Sequence, residues 1–356
     1  MKNFNSIYKN KTVLVTGHTG FKGSWLSIWL HELGANVIGY SLDPRTDKDN
    51  FVVSKLAEKI IDIRGDIRDR EKLQAVFEKY QPEFVFHLAA QPLVRYSYEE
   101  PVETYDVNVM GSIYVMEAFK KCESARYAVM ITTDKCYENK EQIWGYKETD
   151  PLGGYDPYSS SKGACEIAIQ SFRSSFFNPL TYNNHAKAIA SARAGNVIGG
   201  GDWAEDRIIP DLIRAYESKT ALEIRNPSAT RPWQHVLEPI SGYLLLGQRL
   251  AEDPVRYATS WNFGPEFELN KTVWEIVSNI NQVLKDLIIK DVSANTQEKH
   301  EAKLLYLDIT KAKTQLGWAP TLSLEKTIDM TVDWYKKYSE YDGYELCLAQ
   351  IKEFSA

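Results

Sequence analysis

Three glycines at GxxGxxG spacing, Gly17, Gly20 and Gly23, stand where the first strand-like run meets the first helical one, and they narrow the fold more than any other feature. Upstream lies Thr12–Thr16, a short β-branched run; downstream, 24–33 has helical texture and ends at Gly34, a C-cap residue. Glycines in such a junction permit a tight turn, a close approach of backbone to an anion, and close packing of helix on strand. The pattern then repeats. Strands are predicted over 36–40, 60–64, 84–88, 127–132 and 188–192, with helices over 69–79, 101–121 and 160–176 between them and 237–250 after them. Strand, helix and strand in alternation predict a parallel sheet covered on both faces, a Rossmann-type doubly wound α/β fold.

That context raises a weak glycine motif to a dinucleotide-binding one, because the helix N-terminus offers free N–H groups to a pyrophosphate. Gly17, Thr19, Gly20, Phe21, Lys22 and Gly23 form the expected cradle. Asp43, just past the second strand, suits the ribose hydroxyls of NAD, whereas Arg45 and Lys22 would attract the extra phosphate of NADP. NAD is the expected cofactor, although the end of the second strand alone admits both. Asp66 and Ile67 follow the third strand and are placed to meet the adenine; a plain turn is the other reading of Asp66.

Chemistry concentrates in two further segments. Tyr158 and Lys162 form YxxxK, which on a helix puts both side chains on one face. An ammonium beside a phenol favours the phenolate, giving a base for a hydroxyl proton. Thr132, Thr133, Asp134 and Lys135 fall at the carboxyl end of the 127–132 strand, where open α/β sheets bind ligands. Thr133 is expected to bond the same hydroxyl as Tyr158, and Asp134 with Lys135 supplies an acid and a base, unless the two form only a solvated turn.

After Gly195 the texture changes to Gly199-Gly200-Gly201 and to stretches rich in Trp and Pro. Residues 1–198, with 237–260 returning, are expected to bind the cofactor; 199–236 and 261–356 are expected to form a smaller substrate domain. Trp203 and Trp233 either stack on a ligand or fill that domain's core. A net charge of −6 excludes a general nucleic-acid binder, since phosphate neutralisation needs a basic surface. No apolar run reaches the roughly 18 residues of a membrane span, and no apolar leader precedes the first strand. Cys122, Cys136, Cys165 and Cys347 show no metal spacing and read as free thiols of a cytoplasmic protein; no metal site is expected.

The glycine loop, HLAA at 87–90 (Leu88, Ala89 and Ala90 beside the cofactor), the Thr-Thr-Asp run and YxxxK together resemble the extended short-chain dehydrogenase/reductases over nearly the whole chain. Thr-Thr-Asp resembles the nucleotide-sugar 4,6-dehydratases rather than the 4-epimerases, which usually carry Ser or Ala there. The dTDP-glucose dehydratases place Glu next; Lys135 instead resembles the CDP-glucose 4,6-dehydratases. Similar to that group again are TGHTGFKGSWL (16–26), TTDKCYENKE (132–141), GGYDPYSSSKG (153–163), ARAGNVIGGGDWAEDRIIPD (192–211) and RPWQHVLEP (231–239).

The resemblance implies a lyase of deoxysugar biosynthesis, of the kind that feeds lipopolysaccharide O-antigen, with CDP-glucose as substrate and a homodimer or homotetramer as assembly. It implies that Tyr158 takes the 4-hydroxyl proton as hydride leaves C4 for NAD, that Lys135 removes the C5 proton, that Asp134 protonates the departing 6-hydroxyl, and that hydride returns to C6. Arg207 and Arg231 match diphosphate-side cations and Asn196 and Asn262 polar contacts; Arg95 and His235 are further substrate candidates. Arginine suits phosphate because its planar fork bonds two oxygens. The inverting UDP-N-acetylglucosamine dehydratases are disfavoured by the long 138–156 insert before YxxxK. A 4-epimerase would leave Asp134 and Lys135 without work. A non-catalytic NAD-sensing protein would have no need of both Tyr158 and Lys162.

Overall fold

The computed structural model describes residues 2–295 and 304–356. Seven strands form one sheet: β1 Thr12–Thr16, β2 Asn36–Ser41, β3 Ile61–Arg64, β4 Phe84–His87, β5 Tyr127–Ile131, β6 Ala188–Ala194 and β7 Ser260–Phe263. Their order is 7-6-5-4-1-2-3, and every neighbouring pair runs parallel. Order reverses between β1 and β4, which opens a crevice at the carboxyl ends of those strands.

Successive strand residues point to opposite faces, so each face has its own core. Val13 and Val15 join a cluster with Trp25, Trp29 and Leu244 from α1 (Phe21–Glu32) and α5 (Leu237–Glu252). Leu14 joins the other with Phe77, Phe119 and Ile169 from α2 (Arg70–Tyr80), α3 (Gly111–Lys121) and α4 (Pro157–Ser175). The doubly wound α/β expectation is met.

Three helix boundaries differ from the expected ones, each for a local reason. Helix α1 starts at Phe21, not at residue 24, so Gly23 lies inside its first turn. A β-carbon there would fall 2.0 Å from the Gly17 carbonyl oxygen, so only glycine lets the helix pack against its own loop. Helix α4 starts at Pro157, ahead of the expected 160, because Asp156 accepts from the Ser159 N–H at 2.9 Å and proline suits the first helical position. The 101–121 segment is interrupted by a π-helical turn, Asp106–Met110. There buried Asn108 bonds Gln91 and donates to Ser161 Oγ at 2.9 Å, tying this helix to α4.

Beyond Gly195 the chain leaves the sheet. Helix Ile208–Ser218 and paired strands Ala221–Ile224 and Ile288–Asp291 rise above its carboxyl edge, with helix Val273–Leu284 opened by a Thr272–Glu275 capping box. The C-terminal helix Gly343–Phe354 returns to α1, where Tyr344 donates to Glu32 at 2.6 Å. The four cysteines are buried and unpaired. Among the described residues no helix is long and apolar enough to cross a membrane.

Candidate active site

A cavity of about 720 Å³ lies over the crevice, floored by the strand ends and roofed by 194–233. It begins at the glycine loop. Gly17 has φ of +76°, and its N–H donates to the Tyr40 carbonyl at 2.9 Å. A β-carbon on Gly17 would also meet the Ala89 nitrogen at 2.7 Å, so the loop lies directly against the 88–90 backbone. Gly20 caps α1 with no side-chain hydrogen bond, leaving the helix's first N–H groups turned toward the cavity. Thr19 bonds Ser41 Oγ at 2.8 Å and donates to the Leu42 carbonyl, fixing the end of β2 beside the loop.

Every expected cofactor residue lines this cavity: Gly17, Thr19, Gly20, Phe21, Lys22, Gly23, Asp43, Asp66, Ile67, Leu88, Ala89, Ala90, Thr132, Tyr158 and Lys162. Two carboxylates there have partners of their own. Asp66 receives Arg68 at 2.7 Å, which holds its carboxyl below the usual range. Asp43 is largely exposed, 3.7 Å from Arg64. Lys22 corrects an expectation: it does not turn to the end of β2, where an extra ribose phosphate would sit. It neighbours Arg207, Asp134, Lys162 and Asp202, and burial with the adjacent cations pushes its pKa down to about 8.

The catalytic candidates meet in the middle. After β5 the chain makes a single tight turn, Asp134–Cys136, with Thr133 at its head. Thr133 Oγ1 donates to Asp134 Oδ1 at 2.9 Å and accepts from the Lys135 N–H at 3.4 Å. Asp134 is buried, its Oδ2 facing Gly195, where a β-carbon would come within 2.8 Å. Burial raises its pKa, while Lys135, Thr133, Arg231 and Lys22 act to lower it. Tyr158 stands in the first turn of α4, its N–H donating to Ser97 Oγ at 3.1 Å. The Thr133 hydroxyl stands close enough to its phenol to act on its titration.

The expected phenolate is not what the side chains around Tyr158 favour. Burial raises the Tyr158 pKa to about 12, with Thr133 acting to lower it and Asp134 to raise it. Lys162, one turn on and buried, is itself pushed down by burial. Taking the phenol out of water outweighs the Thr133 hydroxyl and the Arg207 cation that act to lower its pKa.

Of the substrate-side candidates, Arg95, Asn196, Arg207 and Arg231 line the cavity. Arg207 pairs with buried Asp202 at 2.8 Å. His235 and Asn262 do not reach the cavity, which corrects both assignments. His235 is fully buried with its ring edge-on to Trp25, and its Nδ1 accepts from the Leu237 N–H at the start of α5. Burial drops its pKa to about 3, leaving it neutral and of no use to a phosphate. Asn262, in β7, accepts from Tyr137 Oη at 2.7 Å and donates to the Tyr146 and Asp308 carbonyls, pinning loops together. Trp203 and Trp233 are both buried at the cavity wall and serve as core and lining at once.

Three features escaped the sequence reading. Asp206, with φ of +58°, accepts both terminal nitrogens of Arg225 at 2.9 Å and lies 3.8 Å from Arg95, joining the two rims of the cavity. His18 bonds Asp62 at 2.8 Å beneath the glycine loop. Glu166, one turn beyond Lys162, accepts from Thr132, Ser191 at 2.8 Å and Arg193 at 2.8 Å, so the buried Glu166–Arg193 pair holds the head of the catalytic turn. Acids and bases 19 to 111 positions apart carry no local spacing signal.

Residues 14–331 match the family described as GDP-mannose 4,6 dehydratase. The chain is 49% identical over 349 residues to a CDP-glucose 4,6-dehydratase of Salmonella typhimurium, covering 97% of this chain and 95% of that one. It is 25% identical to a dTDP-glucose 4,6-dehydratase of Haemophilus influenzae, covering 91% and 97%. Among solved structures, a UDP-glucose 4-epimerase of Thermotoga maritima with UDP-glucose superposes with a TM-score of 0.76 at 24% identity, covering 92% of this chain and 100% of that one. A dTDP-glucose 4,6-dehydratase of Bacillus anthracis in complex with NAD gives 0.74 at 22% identity, covering 93% and 98%. These two superpositions speak for the fold; the family follows from the sequence matches. The chain belongs to the GDP-mannose 4,6 dehydratase family, a branch of the extended short-chain dehydrogenase/reductases.

Proposed function

We propose that this protein is an NAD-dependent lyase that converts CDP-D-glucose to CDP-4-keto-6-deoxy-D-glucose and water. One observation carries the reading: a YxxxK pair and a separate acid–base pair face the same cavity, Tyr158 and Lys162 from α4, Asp134 and Lys135 from the turn after β5. An epimerase needs only the first pair. The 49% identity to a CDP-glucose dehydratase supports the cytidine nucleotide, a choice no single side chain spells out.

The glycine cradle fits a dinucleotide. Gly17 leaves room for backbone approach, the N-terminus of α1 carries no side-chain cap, and Asp43 is exposed at the end of β2 to meet a ribose. Asp66 and Ile67 would flank an adenine, and Lys162 a nicotinamide ribose. When bound, NAD accepts the C4 hydride and later returns it to C6. The protein's own residues move the protons. Tyr158 would take the 4-hydroxyl proton as the phenolate, which the Lys162 ammonium and the positive charge of a bound nicotinamide would favour against burial, with Thr133 bonding the same group. The 4-ketone acidifies C5, Lys135 removes that proton, Asp134 protonates the departing 6-hydroxyl, and Lys135 gives a proton back to C5 as hydride arrives at C6. The raised pKa of Asp134 suits an acid. Arg207 and Arg231 would hold the diphosphate, with Asn196 and Arg95 beside it.

The division of labour follows. Residues 1–198 and 237–263 would hold the cofactor, the return reaching 263 because Ser260–Phe263 is a sheet strand; 199–236 and the remainder would hold the nucleotide sugar. A homodimer or homotetramer is expected, formed through the outer faces of α4 and the 101–121 segment, where Val102, Tyr105, Met110, Ile167 and Phe176 stand exposed. Sedimentation giving only monomer at micromolar concentration would exclude it. Four buried free thiols suit the cytoplasm.

The test of the function is incubation of purified protein and NAD with CDP-, dTDP-, UDP- and GDP-hexoses. Loss of one water from CDP-glucose without net NADH supports the reading. Loss from another nucleotide sugar alone moves the specificity, and epimerisation without water loss refutes the lyase.

A further inference from the structure

A nucleotide sugar has a fixed order along its length: sugar, diphosphate, nucleobase. The cavity's side chains follow the same order from floor to mouth. Asp134 is 3% and Tyr158 8% exposed, at the floor. A β-carbon on Gly195 would meet both Asp134 Oδ2 at 2.8 Å and the Pro232 ring at 3.0 Å, so the chain at Arg231 passes close by the acid. Arg207, the second diphosphate cation, is held by its 2.8 Å pair with Asp202. Asp206 and Arg225 lie at the rim, their side chains 39% and 36% exposed. With the sugar at Asp134 and the diphosphate on Arg207 and Arg231, the base falls to that rim.

The rim pair is arranged around one oxygen. Both terminal nitrogens of Arg225 donate to Asp206 Oδ1 at 2.9 Å, and Arg95 Nε approaches the same oxygen at 3.8 Å from the opposite side. Among the described residues Asp206 Oδ2 takes no hydrogen bond. A carboxylate accepts and a guanidinium donates, and each terminal nitrogen of Arg225 keeps a second N–H. The pair therefore offers a ligand an acceptor beside a donor. Its backbone is set on both sides: Asp206 immediately precedes Arg207, and Arg225 ends the strand Ala221–Ile224.

Cytosine carries the complementary edge, an N4 amino group that donates beside a ring N3 that accepts. Uracil and thymine reverse it, with O4 accepting and N3–H donating. On this pair they would set oxygen against Oδ2 and N–H against N–H, two repulsions in place of two bonds.

Resting on the nucleotide-sugar reading above, we propose that Asp206 and Arg225 form the base-reading pair of this protein. Asp206 Oδ2 accepts from the cytosine N4 amino group and Arg225 donates to N3, which selects cytidine over uridine and thymidine nucleotides. The contact is remote from the reacting carbons and is made equally in ground and transition states, so it acts on KM and leaves the chemical step alone.

The experiment titrates CDP and UDP, which differ only at this edge, into NAD-loaded wild type, Asp206→Asn and Arg225→Gln by calorimetry, and follows CDP-glucose turnover by each. Wild type should bind CDP roughly 10–10²-fold more tightly than UDP, the discrimination of one good bidentate contact. Asp206→Asn puts an amide donor within reach of O4, so the preference should vanish or reverse, and the loss with CDP-glucose should fall on KM rather than on kcat. Arg225→Gln should lose the preference as well, and it decides the matter should the asparagine variant fail to take up NAD. Wild type that binds both nucleotides alike overturns the assignment. So do variants that keep the wild-type preference, weaken CDP and UDP equally, or lose kcat instead of KM; the pair is then a clasp between rims. Nucleotide binding does not depend on turnover, so the two readings fail separately. A protein that dehydrates no CDP-glucose, yet prefers CDP and loses that preference in both variants, refutes the lyase and keeps the base-reading pair. A working dehydratase whose variants still prefer CDP does the reverse.

Discussion

Replacing Arg193 by methionine removes one half of an ion pair that lies beneath the catalytic turn. Arg193 and Glu166 are 3% and 1% exposed, their closest atoms 2.8 Å apart, and Glu166 also takes hydrogen bonds from Thr132 and Ser191. Those bonds and the arginine hold the Glu166 carboxyl below its usual range despite burial. Methionine fills the space of the stem and leaves the carboxylate without its cation. Breaking a buried pair in this way costs about 3–5 kcal/mol. Unfolding entropy of roughly 2.1 cal/mol/K per residue over 356 residues gives about 0.75 kcal/mol/K. The melting temperature of Arg193→Met should therefore fall by roughly 4–7 °C. Scanning calorimetry measures it directly. The paired change Glu166→Gln with Arg193→Met should recover part of the loss, because the stranded charge is gone. A single variant that melts within about 1 °C of wild type would refute the claim that this pair bears on the scaffold. Activity should fall with it, since Glu166 anchors Thr132 and through it the turn that carries Thr133, Asp134 and Lys135.

Three further outcomes are expected. Tyr158→Phe should lose about 10²–10⁴-fold in turnover while NAD binding, measured by calorimetric titration, persists, because the glycine loop and Lys162 are untouched. Lys135→Ala should still oxidise C4 yet stall before elimination, so enzyme-bound NADH accumulates in the absorption spectrum and the C5 hydrogen of the bound ketone no longer exchanges with deuterated water. Gly23→Ala should unfold or empty the cofactor site, since its β-carbon would lie 2.0 Å from a backbone oxygen with no flexible atom to yield; unchanged NAD affinity and melting temperature would contradict the packing argument.

What could be read from the residues alone was whatever local pattern encodes. Alternating apolar runs and the glycine loop specify the doubly wound sheet, and YxxxK specifies one helical face, because each rests on a fixed period or turn geometry. Helix starts were misplaced where capping decided them: Asp156 and Pro157 begin α4 three residues ahead of the apolar pattern. His235 follows a segment that lines the cavity at Arg231 and Trp233 but turns inward, and Asn262 lies in a sheet strand that does not reach the cavity; both placements depend on tertiary packing. The Tyr158 pKa was misjudged for a related reason. A neighbouring cation is visible four positions away, whereas the surroundings that exclude water from the phenol come from the whole fold. The Glu166–Arg193 pair and the Asp206 clasp join residues 27, 19 and 111 positions apart and had no sequence signature.

The account stands on an internal redox cycle in which the hydrogen at C4 ends at C6 of the same sugar. CDP-glucose deuterated at C4 tests this directly, with the product examined by nuclear magnetic resonance. The account predicts deuterium at C6 of a 4-keto-6-deoxy sugar and none released to water. Deuterium that is returned to C4 of an unchanged or epimerised sugar, or that remains in reduced NAD, would contradict it.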